Sequence, residues 1–332
     1  MLYASMETSG RLSTVLSLPD GYNCHGNTFS AEADWPETGV FDKLKGYYTV
    51  ALPVIEVEGP AEAPTGSGFL TLSIAGVSNL KNGVVRFAGI APDGISISGS
   101  TRISGFDRYR ENAQVPFFSR SAHNIFGGVF SIGVDGAEKW ASSEITSDGS
   151  RLVREIVTSA SSHIAYTLHQ GTTVRWFAIH SVYGSWYPQG VSQETLDKLF
   201  YSDIDRYVPD APFSLSAIVE GATASERYGA FAPPSRLLVR VEPKGLALDK
   251  AQGNSFYFHT RNGVFRGAYR IPFDGGRVIS AAYAGVVTPG WVLPCECGIV
   301  APEKAYGCGT VYFTDSIEGR AGTRSIPLIL DK

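Results

Sequence analysis

The chain has 332 residues, with 28 Lys and Arg against 32 Asp and Glu, and a formal net charge of −4. This balance argues against duplex nucleic acid as the main partner, because proteins that bind it neutralise phosphates with basic residues. Hydrophobic residues make up 43% of the chain and charged residues 18%, which excludes a disordered protein. At roughly 150 residues per domain, the length predicts two domains or one large β-rich domain.

The composition favours strands and turns over helices. The chain contains 37 Gly, 18 Pro, 16 Tyr and 18 Phe. Aromatic residues suit strands, and Gly and Pro suit the turns between them. We therefore predict an all-β fold of β-sandwich or β-barrel modules, with long loops and at most one or two short helices. Sandwich and barrel need the same alternating strands, so the sequence leaves both open.

The first half of the chain reads as a series of short strands. Pro53 marks a bend or an edge between two of them. Asn82-Gly83 lies between apolar runs and predicts a hairpin turn, because both turn positions need positive φ. The predicted strands are 47–52, 54–57, 69–74, 84–88, 95–98 and 101–103.

The second half repeats this pattern. Segments 163–168 and 173–179 flank Gln170-Gly171 and predict one hairpin. Ser192 is a suitable N-cap for a short helix over 193–200. The β-branched end of 151–157 favours a strand there, and the remaining predicted strands are 237–241 and 255–259.

A Pro-containing stretch over 207–212 is the best candidate for a domain boundary. We predict an N-terminal β-rich domain over 1–208 and a C-terminal β-rich domain over 209–332 that contains a cysteine cluster. Within the C-terminal domain, Asn262-Gly263 is followed by the same kind of apolar run as Asn82-Gly83. A shared type of turn explains this similarity better than a duplicated module.

The four cysteines are the sharpest chemical feature of the sequence. Cys295, Cys297 and Cys308 fall within fourteen residues, and Cys24 is distant in the chain. On a strand, residues two apart face the same side, so Cys295 and Cys297 can point at one object. Four thiolates suit an iron–sulfur cluster or a structural zinc site. Disulfides or ordinary buried thiols are the alternatives.

An aromatic segment over 175–188 is the second feature. Trp176, Tyr183, Trp186 and Tyr187 are candidates for a binding surface that stacks on sugar rings or contacts another protein. The alternative is that these side chains form the core and its rim. No nucleophile elbow, phosphate-binding loop or dinucleotide fingerprint occurs in the sequence, which lowers the expectation of an enzyme.

The first residues, from Met1 to Glu7, lack the basic start and apolar core of a signal peptide. No apolar run reaches the roughly 18 residues needed to cross a bilayer. These features predict a protein made in a cytoplasm, without a membrane span.

With these features the chain resembles the tail-tip or baseplate proteins of long-tailed bacteriophages, of the distal tail or hub type. The resemblance lies in the Gly- and aromatic-rich, all-β composition of the whole chain. Its one specific feature is the set of four cysteines, Cys24, Cys295, Cys297 and Cys308. Some phage tail hubs resemble this chain in carrying an iron–sulfur cluster on cysteines near the C-terminus. The resemblance implies a non-enzymatic virion subunit whose copies form a ring between the tail tube and the receptor-binding parts, beside neighbouring structural proteins. The alternative function is a carbohydrate-binding or carbohydrate-active all-β protein.

Overall fold

In the computed structural model, strands and tight turns make up the described part of the chain, and no α-helix occurs in it. The predicted all-β fold is therefore confirmed. The helix predicted over 193–200 lies outside the described residues. These residues are 2–6, 12–17, 23–28, 44–58, 66–74, 83–103, 105–107, 112–120, 124–133, 144–145, 151–152, 155–157, 164–170, 173–180, 182–187, 189, 213–217, 237–242, 245–248, 254–272, 278–288, 305–317 and 320–331.

A small antiparallel sheet comes first in the chain. It consists of three strands in sequential order, in which β1 pairs with β2 and β2 pairs with β3. Cys24 lies on the third strand, opposite Leu16. The strands are β1 (Leu2–Met6), β2 (Leu12–Ser17) and β3 (Asn23–Thr28).

The next fourteen strands form a large sheet, which we call the central sheet, and one separate two-stranded pair, β12 with β13. These strands are β4 (Gly46–Leu52), β5 (Val54–Glu58), β6 (Gly68–Ile74), β7 (Val84–Ile90), β8 (Ser96–Arg102), β9 (Gly105–Asp107), β10 (Asn112–Arg120), β11 (Asn124–Gly133), β12 (Glu144–Ile145), β13 (Arg151–Leu152), β14 (Glu155–Val157), β15 (Ile164–Gln170), β16 (Thr173–His180) and β17 (Tyr183–Trp186).

The central sheet bends where strands change partners. Its order is β5-β16-β15-β11-β14-β17-β4-β6-β7-β8, with β10 on the other edge of β11 and β9 beside β10. Strands β4 and β5 are separated by Pro53 alone, and they pair with different neighbours. Proline cannot donate to a ladder, so this position suits a change of partner.

The central sheet also curls so that β8 approaches β10. One apolar cluster fills the space that the curled sheet encloses, as the alternation of strand side chains requires. Ring contacts order part of this core, since Phe117 meets Phe87 and Phe126 edge to face. The cluster includes Leu44, Tyr48, Leu52, Leu70, Leu72, Phe87, Phe117, Phe126 and Phe130.

The last eight strands form a second large antiparallel sheet, which we call the C-terminal sheet. Its order is β20-β19-β18-β25-β24-β23-β22-β21, and the two edge strands β20 and β21 approach each other. The strands are β18 (Phe213–Ala217), β19 (Leu237–Glu242), β20 (Gly245–Leu248), β21 (Ser255–His259), β22 (Val264–Pro272), β23 (Val278–Val287), β24 (Ala305–Ile317) and β25 (Arg320–Asp331).

Glycines make room for aromatic rings on one face of the C-terminal sheet. Phe265 is buried, and its ring lies where a Cβ on Gly285 would come within 2.3 Å of it. Tyr283 likewise lies across Gly267 and donates its hydroxyl to the Ser255 carbonyl at 2.6 Å. We call this the inner face, because it holds the buried residues Phe258, Phe265, Tyr283, Val311 and Leu328.

The opposite, outer face of the C-terminal sheet packs against the central sheet. Phe69 of β6 joins Ala284 and Val286 of β23 in one buried cluster, and Ile90, Val264 and Tyr312 pack at its margin. The contact also includes hydrogen bonds from Thr49 Oγ1 to the Val287 carbonyl at 2.7 Å and from the Gly66 amide to Ser325 Oγ at 2.9 Å.

Most predicted strands that fall on described residues are present, including 255–259 at its predicted bounds. The hairpin of 163–168 with 173–179 is confirmed as β15 and β16. Segments 95–98 and 101–103, predicted as two strands, form the single strand β8. The change from the central to the C-terminal sheet falls between Trp186 and Phe213, and the boundary at 208/209 stays a prediction.

The tight turn predicted at Asn82-Gly83 is wrong. Gly83 is not among the glycines with positive φ, and its carbonyl accepts a hydrogen bond from the Ile103 amide at 2.9 Å. Gly83 therefore lies just before β7 and beside the end of β8, without the positive φ that the predicted turn requires. Strands β6 and β7 still pair antiparallel, as a hairpin does.

Candidate functional site

The structure separates the members of the predicted aromatic surface. Tyr187 is completely buried, so its ring takes no part in an exposed surface. Trp186 packs partly buried against the core of the central sheet, and Tyr183 is half-buried. Trp176 belongs to β16, but its side chain lies outside the described residues.

Tyr187 instead joins the two large sheets. Its hydroxyl donates to the Thr260 carbonyl at 2.6 Å, and its ring touches the position where Gly263 would carry a Cβ. Burial raises the pKa of Tyr187, with a smaller contribution from Tyr47. The folded protein therefore favours the neutral phenol, which can donate its hydrogen bond to the other sheet.

Only part of the predicted cysteine cluster falls on described residues. Cys308 is buried in β24, opposite Val286 and Ile329. Cys24 lies on β3, whereas Cys295 and Cys297 lie outside the described residues. Within the described part of the chain, no group of three His, Cys, Asp or Glu side chains is arranged to hold a metal ion. The iron–sulfur or zinc site stays a prediction.

An open groove lies on the outer face of the C-terminal sheet, beside its contact with the central sheet. Its volume is about 340 Å³, within the range of roughly 300 to 1,000 Å³ typical of small-molecule sites. We call it the aromatic groove, and it is lined by Ser255, Phe256, Tyr257, Arg266, Gly267, Tyr283 and Tyr312.

Strand register explains which side chains reach into the aromatic groove. Tyr257 pairs directly with Arg266, and Ser255 lies in the next row of the same face. Ser255 is connected through Ala268 and Ala282 to Tyr312, so these four residues share that face as well. Phe256, Gly267 and Tyr283 belong to the opposite face, and they line the groove from beneath.

Tyr257 gives the groove an exposed aromatic wall. Its side chain is 53% exposed, which is high for a large apolar ring at the surface of a folded protein. The His259 ring meets it edge to face at a centroid distance of 4.4 Å. Because Tyr257 and His259 are two apart on one strand, this contact holds the Tyr257 ring upright on the outer face.

Arg266 lies beside the Tyr257 ring. Its guanidinium carbon is 5.5 Å from the centroid of Tyr257, a cation–π distance. Its positive charge also acts on Tyr312, where it lowers a pKa that burial raises by more. Among the residues that the structure describes, Arg266 forms no ion pair, and its exposed N–H groups face solvent.

The central sheet supplies the wall beside Tyr312. Gly94, in the turn between β7 and β8, has a φ of +85°, and a Cβ there would touch the Tyr312 ring at 2.6 Å. Asp93 in the same turn is buried, and it accepts hydrogen bonds from Asn124 Nδ2 at 2.6 Å and the Ile95 amide at 3.1 Å. These bonds hold the turn, so Tyr312 rests against a fixed surface.

His180 carries a buried imidazole. Its Nδ1 lies 2.9 Å from the Leu52 carbonyl, so Nδ1 carries the proton, and the ring meets Phe126 edge to face. Nε2 is buried and finds no hydrogen-bond partner among the described residues. Burial lowers the pKa of His180 to about 4, partly offset by the bond to Leu52. The ring is therefore neutral at physiological pH and acts as part of the core.

Sequence reasoning named none of the exposed residues of the aromatic groove. The signal was present in part, since Asn262-Gly263 fixes the β21–β22 turn and therefore the pairing of Tyr257 with Arg266. The contribution of Tyr312 depends on the pairing of β24, which is distant in sequence and carries no turn signal.

Comparisons with known proteins give no family assignment. No protein family matches the chain, and no curated protein does either. Among solved structures, the chain has a weak likeness to one titled "Crystal structure of CghA", with 10% identity, 91% of this chain and 94% of that chain covered, and a TM-score of 0.19. We infer nothing about this protein from so distant a likeness.

No helix in the described ranges has the length and apolar character that a membrane-spanning helix needs.

Proposed function

We propose that this protein binds carbohydrates, and that the ligand lies in the aromatic groove. The observation that supports this function most is the exposed Tyr257 ring beside Arg266, in an open groove that Tyr312 closes on one side. Sugar rings present apolar C–H faces and a rim of hydroxyls. An aromatic face with hydrogen-bond donors around it matches both.

The Ser255 hydroxyl and the Arg266 guanidinium provide polar contacts at the groove margin. Both side chains are exposed, so they reach a ligand without any change in the fold. Of the inner-face aromatics that line the groove, Tyr283 is buried and its hydroxyl is held by the Ser255 carbonyl, whereas Phe256 is half-buried. The exposed contacts, Ser255, Tyr257 and Arg266, lie on the outer face.

Calorimetric titration of the full chain with hexose oligosaccharides selected on a glycan array tests this proposal. We expect Tyr257→Ala to weaken binding by roughly tenfold, about 1.4 kcal/mol, because the stacking face is lost. Phe118→Ala is the matched control, since Phe118 is 62% exposed on β10 and does not line the groove. Absence of any glycan binding, or equal losses in the two variants, would reject the proposal.

A second candidate, a structural subunit of a phage tail tip, has support from two hairpins of the C-terminal sheet. Strands β22 and β23 pair as far as Pro272 with Val278, and β24 and β25 as far as Ile317 with Arg320. The pairing between β23 and β24 stops at Ala282 with Tyr312. Beyond that pair each hairpin continues as a two-stranded arm, and such arms gain stability from a neighbouring subunit.

Sedimentation velocity on the full chain separates the two candidates. An assembly subunit is expected to form a closed ring of discrete size. A chain that remains monomeric at high concentration contradicts the assembly role and leaves sugar binding intact.

A further inference from the structure

We propose that Arg266 makes the aromatic groove selective for acidic sugars, namely pyranosides that carry a carboxylate. This inference rests on the proposed carbohydrate function and specifies its ligand class. It depends on three observations about the groove: the guanidinium beside the Tyr257 ring, the absence of a counter-charge among the described residues, and the position of Tyr312.

The position of Arg266 beside Tyr257 decides what it can offer a ligand. Its guanidinium carbon lies 5.5 Å from the centroid of the exposed Tyr257 ring. The N–H groups of a guanidinium match the two oxygens of a carboxylate. A sugar ring on Tyr257 would bring a substituent carboxylate to those N–H groups.

The charge of Arg266 is not neutralised within the described part of the protein. It forms no ion pair there. The acidic residue of the adjoining turn, Asp93, is buried, and Asn124 and the Ile95 amide occupy its oxygens. The groove therefore presents a positive charge without a compensating carboxylate, although the whole chain has a net charge of −4.

Tyr312 adds a neutral phenol to the lining of the groove. Its ring is fixed against Gly94, and it lies close enough to Arg266 to feel that charge. The phenol retains its proton, since burial disfavours the phenolate by more than Arg266 favours it. A carboxylate bound to Arg266 can thus also accept a hydrogen bond from the Tyr312 hydroxyl. A neutral hydroxymethyl group is a weaker acceptor for the same hydroxyl.

Paired titrations test the selectivity. A glucuronate-containing disaccharide and its glucose counterpart are titrated into the full chain at low salt. We expect the acidic ligand to bind at least tenfold more tightly, with the preference shrinking as the salt concentration rises. Sodium acetate and sodium sulfate serve as competitors, and neither alone should match the acidic disaccharide, because they lack a ring to stack on Tyr257.

Variants identify the residue responsible. Arg266→Gln should abolish the preference, because the acidic disaccharide should lose far more affinity than the neutral one. Arg120→Gln removes one exposed charge from β10, outside the groove, and should leave the preference unchanged. Circular dichroism confirms that each variant is folded.

The outcomes distinguish the two proposals. If neither disaccharide binds, the carbohydrate function itself is wrong. If both bind with equal affinity, the function stands and the acidic selectivity is overturned. If the preference survives in Arg266→Gln, the selectivity does not come from Arg266 and the inference is likewise overturned.

Discussion

At the scale of single residues, burial decides which polar groups are structural and which can serve a ligand. Tyr187 and Tyr283 each donate to a backbone carbonyl at 2.6 Å, and their rings are buried. Tyr257 carries the same phenol but lies at the surface beside Arg266. The chemistry of the three side chains is identical, so their accessibility determines their different roles.

His180 predicts a defined dependence of stability on pH. Its pKa is about 4 in the folded protein and about 6.5 in an unfolded chain. The unfolded state therefore binds more protons between these values. Above pH 6.5 the free energy of unfolding is therefore not reduced by His180. As the pH falls from 6.5 toward 4, the free energy of unfolding decreases by about 3 kcal/mol at most.

The variant His180→Asn tests this dependence. Its amide can still donate to the Leu52 carbonyl but does not titrate. Urea unfolding of both proteins from pH 7.5 to pH 4 should show a smaller loss of stability in the variant. Parallel curves for the two proteins would show that His180 does not titrate on unfolding in this range.

At the scale of elements, the two Asn-Gly pairs show how far sequence reasoning reaches. Gly263 has a φ of +67° and makes the tight turn between β21 and β22. Gly83 follows the same sequence rule but does not have a positive φ, and its carbonyl instead accepts a hydrogen bond from the Ile103 amide. Local turn chemistry predicts a turn only where no strand from elsewhere in the chain competes for the backbone.

The same limit applies to the strands and the groove. Alternation predicted β15 with β16 and the bounds of β21, because those patterns are local. It did not predict that β11 would pair with both β14 and β15, or that Tyr312 would share a face with Ser255. Those features depend on pairings between distant segments, which a single sequence does not display.

Substitution of the two glycines by alanine tests this difference in backbone. Gly263→Ala should lower the free energy of unfolding by more than about 1 kcal/mol, since its φ is unfavourable for Ala and its Cβ would lie 2.8 Å from the Tyr187 ring. Gly83→Ala is the control, because Gly83 does not have a positive φ and its Cβ would lie 2.9 Å from Ile103 Cδ1. Urea denaturation measures both, and a Gly83 variant as unstable as the Gly263 variant would contradict this account.

At the scale of the whole molecule, the groove depends on the packing of the two large sheets. The Gly94 turn of the central sheet supports Tyr312, and Tyr187 holds the β21–β22 turn that precedes Arg266. The interface combines a small apolar cluster with hydrogen bonds such as that from Gly66 to Ser325. An interface of this kind couples the unfolding of its two halves.

Gly66 is the position where this coupling can be broken. A Cβ there would lie 2.0 Å from Thr310 Oγ1 and 2.8 Å from Ser325 Oγ, both on the C-terminal sheet, and 2.5 Å from the Pro92 carbonyl in the β7–β8 turn. We expect Gly66→Ala to push the sheets apart and to replace one calorimetric unfolding transition by two. Gly127→Ala is the matched control, because its clash, 2.6 Å from the Phe117 carbonyl, lies within the central sheet. That control should lower the midpoint without splitting the transition, and a single unshifted transition in Gly66→Ala would show that the two sheets do not depend on this contact.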